Sequence, residues 1–308
     1  MSHREGWDLS GGAENLPVVV EAEPTDSKFL VTAFQYTPEN VPGPGCHCHP
    51  NEVTFPGCDC RSASCQQGSC SCLQAHGQVY DNKGRLREHE QGDYSRPVFE
   101  CSALCGCGET CINRVVQQGL RFRLSVFSTQ NKGWGVRALE PIPCGTFVCE
   151  YAGEVLGYEE ACQRQRAQGP ADMNYIMALR EHTGQGRVCD TFVDPAAVGN
   201  VGRFLNHSCQ PNLMMVPVRV HSLVPRLALF ALRNIAAGEE LTFDYSGTRS
   251  TTQGLRCTMN PVPSKSSSLS SSSSNTAGTD GLKRKPCHCG AHNCSQFLPL
   301  DMSVIDTC

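Results

Sequence analysis

The feature that most constrains this chain is a cysteine block spaced C-x-C-x4-C-x4-C-x-C, then 28 residues, then C-x3-C-x-C-x3-C. Its members are Cys58, Cys60, Cys65, Cys70, Cys72, Cys101, Cys105, Cys107 and Cys111. Few apolar residues lie among them, so burial of hydrocarbon cannot hold the segment together. A disulfide scaffold wants an oxidising compartment, a short chain and usually an even cysteine count. This chain has 21 cysteines in 308 residues, and its polar first ten residues lack the apolar run of a signal peptide. Thiols clustered in a reducing compartment are expected to hold metal. Single zinc sites usually use C-x2-C pairs, whereas the C-x-C pair, cramped for chelating one ion, recurs here three times. That spacing favours a shared cluster. Nine thiolates satisfy three tetrahedral Zn2+ ions if six bind one ion each and three bridge two; two separate four-cysteine sites with one thiol to spare are the alternative. Protein fills every coordination position, so the role is structural, and metal binding supplies the folding energy that a small core lacks.

A second group, Cys287, Cys289 and Cys294, leaves a structural zinc one ligand short. Cys209 is the best candidate for the fourth, with Cys257, Cys308, His288 and His292 as competitors that spacing alone does not eliminate. Cys46-His47-Cys48-His49 is read as a polar loop, because no further ligand group sits at suitable spacing.

The remainder is that of a globular chain. Hydrophobic residues are 39%, enough for one sizeable core and smaller modules, while 29 Gly and 19 Pro suggest short strands and many loops. No apolar run approaches the length of a membrane span. The formal charge of -4 becomes about -9 once ligand thiols are counted as thiolates with their zinc, which suits a basic partner such as a Lys/Arg-rich tail. Basic residues are sparse across the first cysteine block (Arg61, Lys83, Arg85, Arg87, Arg96), so direct DNA binding has weak support. Residues 1–45, acidic and then Pro/Gly-rich, are read as a flexible N-terminal arm. Alternation predicts a strand from Leu120 to Val126; Thr146 to Tyr151 and Leu227 to Leu232 are further strand candidates, and Glu154 to Gln168 is the best helix candidate. Residues 248–282 hold a serine run and are read as a linker.

Four motifs then fall in a fixed order: Gly133-Trp134-Gly135, Glu150-Tyr151-Ala152-Gly153-Glu154, Gly202-Arg203-Phe204-Leu205-Asn206-His207-Ser208-Cys209 and Phe243-Asp244-Tyr245. Together they resemble the SET-domain protein-lysine methyltransferases. The nine-cysteine block resembles that family's pre-SET module and the C-x-C-x4-C group its post-SET module. The resemblance implies a mainly β fold of small curled sheets with a knot-like crossing of segments near 202–209 and 242–246. It implies a pre-SET module over 46–118, a SET catalytic domain over 119–247, a post-SET module over 283–299 and a tail over 300–308. It also implies transfer of a methyl group from S-adenosylmethionine to a lysine of a histone H3 tail or nucleosome, in the nucleus on chromatin. Cofactor contacts are implied for Lys132, Gly133, Trp134, Tyr175, Arg203, Asn206 and His207. Tyr245 would border the transfer point, Tyr151 would line the lysine channel, and Phe243 stands where the family varies between Phe and Tyr. The family's post-SET fourth ligand falls on Cys209.

Overall fold

The computed structural model describes residues 7–21, 34–87, 97–169, 172–183, 187–246 and 285–299. The expected linker at 248–282, the tail at 300–308, and Cys257 and Cys308 lie outside the described residues.

Among the described residues, three small sheets carry the fold. The first has six strands in the order Trp7–Asp8, Val18–Glu21, Leu124–Ser128, Trp134–Ala138, Glu240–Phe243, Asn206–His207. The second runs Met177–Thr183, Arg187–Gly199, Gly153–Leu156, Val41–Pro42, with Gln35–Tyr36 also paired to the long strand. The third runs Val98–Phe99, Leu213–Arg219, Arg226–Ala231, Phe147–Glu150. Helices are few among the described residues: Ser71–His76, Tyr158–Ala167 and single 3-10 turns at Val116–Gln118 and Val201–Phe204.

The main core lies where the sheets meet. Leu124, Val126, Val136, Leu229, Leu241 and Phe243 are buried there with Tyr151 and Leu205. Tyr80, Phe147, Val218 and Phe230 form a second cluster under the third sheet. The third is of another kind: seven buried cysteines enclose one buried hydrocarbon side chain, Leu73. One leucine supplies only a few kcal/mol of burial, so sulfur must hold this module some other way.

Three sequence expectations need correction. The stretch read as a flexible arm is in part structural. Val18–Glu21 pairs in parallel with Leu124–Phe127, and Leu9, Val18 and Val20 enter the main core. The carboxylate of Asp8 fixes the preceding turn by accepting from the amides of Ser10, Gly12 and Val18. The helix expected from Glu154 begins only at Tyr158, because Val155 and Leu156 are drawn into the second sheet against Val193 and Phe192. Arg164 on that helix then ties Glu154, Glu160 and Asp194 together. The strand expected over 120–126 runs from Leu124 to Ser128, with the Leu120 carbonyl taken by the side-chain amide of Asn15 instead of a strand.

The segments expected to cross lie side by side. Asn206 pairs in parallel with Thr242, and His207 with Phe243. A Cβ at Gly202 would come within 2.6 Å of the Glu150 carbonyl, so only glycine lets the segment before this pairing run so close to Tyr151.

Candidate active site and metal centres

In the pre-SET block, the Sγ atoms of Cys58, Cys60, Cys65 and Cys70 all lie within 4.8 Å of one another. So do those of Cys58, Cys65, Cys101 and Cys107, and those of Cys58, Cys70, Cys72 and Cys101. Cys105 joins through Cys72, at 3.7 Å between sulfurs. Cys111 accepts from the Cys65 amide at 3.3 Å. Zinc bound to four thiolates at about 2.3 Å needs sulfurs about 3.8 Å apart. Cys58 and Cys65 are 3.7 Å apart, and Cys65 and Cys101 are 3.8 Å apart, so the thiols stand where tetrahedral edges require them. The three tetrads overlap, as bridging thiolates must. A hydrogen bond shared between Cys101 and Cys111 pushes the first thiol up and holds the second down, a conflict that a cation between sulfurs removes. Buried Arg114 approaches from outside, donating to Cys107 Sγ at 3.6 Å and to the carbonyls of Cys101 and Ser102. Its positive charge offsets part of the thiolates' negative charge.

The tail makes a second centre. Cys209, Cys287, Cys289 and Cys294 place all four sulfurs within 4.8 Å. Burial opposes ionisation of Cys289, but backbone hydrogen bonds at Cys209 and Ala291 bring its thiol down to about 6. The tail is held in this shape by the bonds Cys287 N–H to Gln296 O and Leu298 N–H to Lys285 O. Lys285 also reaches the Asp172 carbonyl. In the Cys46–His49 segment, Cys46 Sγ donates to the Cys48 carbonyl.

Around the SET motifs the expected cofactor residues fall into two groups. In the first, a tight turn at Thr129–Gly133 sets Gly133 at φ +67°, with open space where a Cβ would stand. Beside it, Lys132 Nζ lies 2.6 and 2.7 Å from the two Glu240 carboxylate oxygens. The Asn206 amide donates to the Trp134 carbonyl and to Glu240, each at 3.0 Å. With both amide protons committed, the Asn206 carbonyl oxygen remains for a ligand. In the second group the Arg203 guanidinium lies 4.7 Å from the Tyr175 ring centre and 4.3 Å from that of Phe34. Its Nε is buried without a partner, a polar atom that a bound ligand can satisfy.

The three expected transfer residues form one aromatic cluster. Phe243 stands between Tyr151, with ring centres 6.0 Å apart, and Tyr245, at 4.9 Å. The Tyr245 hydroxyl donates to the Leu205 carbonyl at 2.8 Å, and the Tyr151 hydroxyl to the Tyr175 carbonyl at 2.5 Å. Burial pushes both phenols upward, so both keep their protons at neutral pH.

Comparison with known proteins decides what this assembly is. The SET domain matches residues 133–246 and the Pre-SET motif matches residues 10–114. The Rattus norvegicus protein "Histone-lysine N-methyltransferase SETMAR" is 50% identical over 97% of this chain and 89% of its own length. The chain belongs to the SET-domain histone-lysine N-methyltransferases. It is an S-adenosylmethionine-dependent protein-lysine methyltransferase by that membership. The crystal structure of the methyltransferase domain of human SETMAR superposes with a TM-score of 0.78 at 47% identity, covering 96% of this chain and 99% of that one. KRYPTONITE in complex with mCHH DNA, H3(1-15) peptide and SAH gives a TM-score of 0.65 at 30% identity, covering 97% of this chain and 55% of that one. The Pre-SET match begins at residue 10, inside the stretch read from sequence as an arm.

Sequence reasoning missed Glu240, Phe34, Arg114 and the Leu205 carbonyl. Glu240 was within reach: Glu240 and Thr242 alternate with buried Leu241 and Phe243, which puts the carboxylate on the face of the strand opposite the core. Phe34 lies far away in sequence and carries no local signal.

Proposed function

We propose that this protein transfers methyl groups from S-adenosylmethionine to a lysine of the histone H3 tail, on chromatin in the nucleus, with Tyr245 at the transfer point. The observation that carries this reading is the Tyr151–Phe243–Tyr245 cluster with the Tyr245 proton committed to Leu205. S-adenosylmethionine, when bound, supplies a methyl group on an electrophilic sulfonium.

The chain has two tasks. A free lysine amine has a pKa of about 10.4 and is nearly all ammonium at neutral pH. An apolar channel lined by Tyr151, Phe243 and Tyr245 disfavours that charge. Neither phenol acts as the base, since both stay protonated. The lysine proton therefore leaves to solvent. The second task is alignment. Because the Tyr245 O–H donates to Leu205, its oxygen is left as an acceptor, and in this reading it orients the amine. Holding the reacting atoms in line contributes roughly 7–11 kcal/mol.

Cofactor contacts are assigned to Lys132, Gly133, Trp134 and Asn206, to His207 through its backbone rather than its ring, and to Tyr175 and Arg203 on the other wall. Zinc is assigned as three ions in the nine-cysteine cluster and one in the tail site at Cys209, Cys287, Cys289 and Cys294. The H3 peptide and SAH in the KRYPTONITE complex support the substrate and cofactor classes. That complex also contains DNA, but the acidic balance of this chain gives direct DNA binding little support.

Incubation of the zinc-loaded protein with S-adenosylmethionine and nucleosomes or free histones, followed by mass spectrometry, tests the reading. Methylated lysine on the H3 tail is the expected product. No histone methylation by protein of full zinc content contradicts it.

A further inference from the structure

We infer that the His207 side chain is a positioning residue that couples the four-cysteine tail site to the backbone of Tyr245. The inference rests on the assignment of Tyr245 to the transfer point, and it gives the ring a task separate from cofactor contact. The imidazole has two nitrogens with different partners. The Tyr245 amide N–H donates to Nδ1 at 3.3 Å. A nitrogen that accepts carries no proton, so the proton of the neutral ring sits on Nε2. Nε2 lies 3.4 Å from Cys209 Sγ. The ring therefore donates to a metal-ligand sulfur with one edge and accepts from the transfer residue with the other. Asp244 Oδ1, 3.7 Å from Nδ1, is beyond hydrogen-bond range of that unprotonated nitrogen.

The surroundings of the sulfur support this polarity. The Ser295 amide donates to Cys209 Sγ at 3.4 Å. The Ser295 hydroxyl lies 3.3 Å from the same sulfur and donates its proton to the Phe297 carbonyl at 3.1 Å. Donors gathered on one sulfur suit a thiolate that holds a cation, because N–H···S bonds spread the thiolate charge and fix the ligand's direction. The ring itself is locked. It is buried and packs edge-on to the Tyr245 ring at 5.3 Å. Ligand Cys209 thus fixes the ring, the ring fixes the Tyr245 amide, and the Tyr245 hydroxyl is fixed from the other side by Leu205. Metal in the tail is thereby read out as the placement of the transfer phenol, and the effect falls on turnover more than on cofactor affinity.

Three substitutions in the full-length, zinc-loaded chain separate the two bonds. His207→Asn keeps an oxygen near the Nδ1 position, able to accept from Tyr245, but does not reach the sulfur. His207→Gln carries an N–H near the Nε2 position and loses the acceptor. His207→Phe loses both. The expected pattern is crossed. In His207→Gln and His207→Phe, kcat falls about tenfold while KM for S-adenosylmethionine stays within about twofold, and His207→Asn loses less. Release of tail zinc to a chelator quickens in His207→Asn and His207→Phe but not in His207→Gln. Long-range 1H–15N spectra of histidine-labelled, zinc-loaded wild type are expected to show the Nε2-protonated tautomer. A proton on Nδ1 in that spectrum, or equal kcat and equal zinc release across the three variants, overturns the inference. Absence of methyl transfer by the wild type counts against the methyltransferase assignment instead, and the tautomer and zinc-release measurements still decide the role of the ring.

Discussion

At the scale of single residues, the site is a set of hydrogen bonds that leave chosen atoms free. Phe243 shows what an absent atom does. A phenylalanine between Tyr151 and Tyr245 presents no hydroxyl to hold a water against the amine in the proposed reaction. The wild type is expected to add more than one methyl group, and Phe243→Tyr to stop mainly at the monomethyl product, read by mass spectrometry at long times and saturating cofactor. Glu150, next to Tyr151 in the chain, is a different case. Burial raises its carboxyl to about 7, with Arg226 opposing the shift. A carboxyl whose folded value lies above its unfolded one favours the protonated folded state. Its contribution is fully present below about 4.5 and is lost as pH rises through about 7. Replacing it with glutamine removes this term. The thermal midpoint of Glu150→Gln relative to wild type is therefore expected to rise between pH 6 and pH 8.5; a constant difference across that window contradicts the assignment.

At the scale of elements, the sequence showed most where chemistry repeats at short range, and least where pairing is distant. The cysteine spacings were legible because C-x-C and C-x4-C intervals confine sulfurs to one neighbourhood whatever the backbone does. Cys209 was reached by counting ligands, with competitors still standing, and the structure brings its sulfur among those of Cys287, Cys289 and Cys294. The strand Val18–Glu21 was missed. Its partner is Leu124–Phe127, more than a hundred residues on, and a four-residue strand in a polar segment carries too little periodicity to reveal the sheet it joins. The helix boundary at Tyr158 was missed for a related reason: Val155 and Leu156 fit a helical face as well as a strand until Val193 and Phe192 are known to lie beside them. Val20→Ala, which removes buried methyl groups from the first sheet, is expected to cost about 2 kcal/mol and to lower the thermal midpoint of the zinc-loaded protein. A neutral effect would mean that the N-terminal strand does not belong to the core. Cys294→Ser is expected to remove about one zinc ion per chain and abolish methyl transfer while the nine-cysteine cluster keeps its metal. Retained activity at reduced zinc content would count against the tail's role.

At the scale of the whole molecule, a hydrocarbon core and the four-cysteine tail centre converge on one phenol. The first sheet brings Asn206–His207 alongside Glu240–Phe243, which places Tyr245 against the Leu205 carbonyl. The third sheet delivers Tyr151, and the tail cysteines close on Cys209 two residues beyond His207. The account therefore stands or falls on the Tyr245 hydroxyl. The most direct measurement is the single-turnover rate of methyl transfer from S-adenosylmethionine to an H3 peptide by Tyr245→Phe, with zinc content and cofactor affinity shown to equal those of wild type. The account predicts a rate lower by about a hundredfold or more, comparable to removing one preorganised hydrogen-bonding group from a transition state. A rate equal to wild type would contradict it.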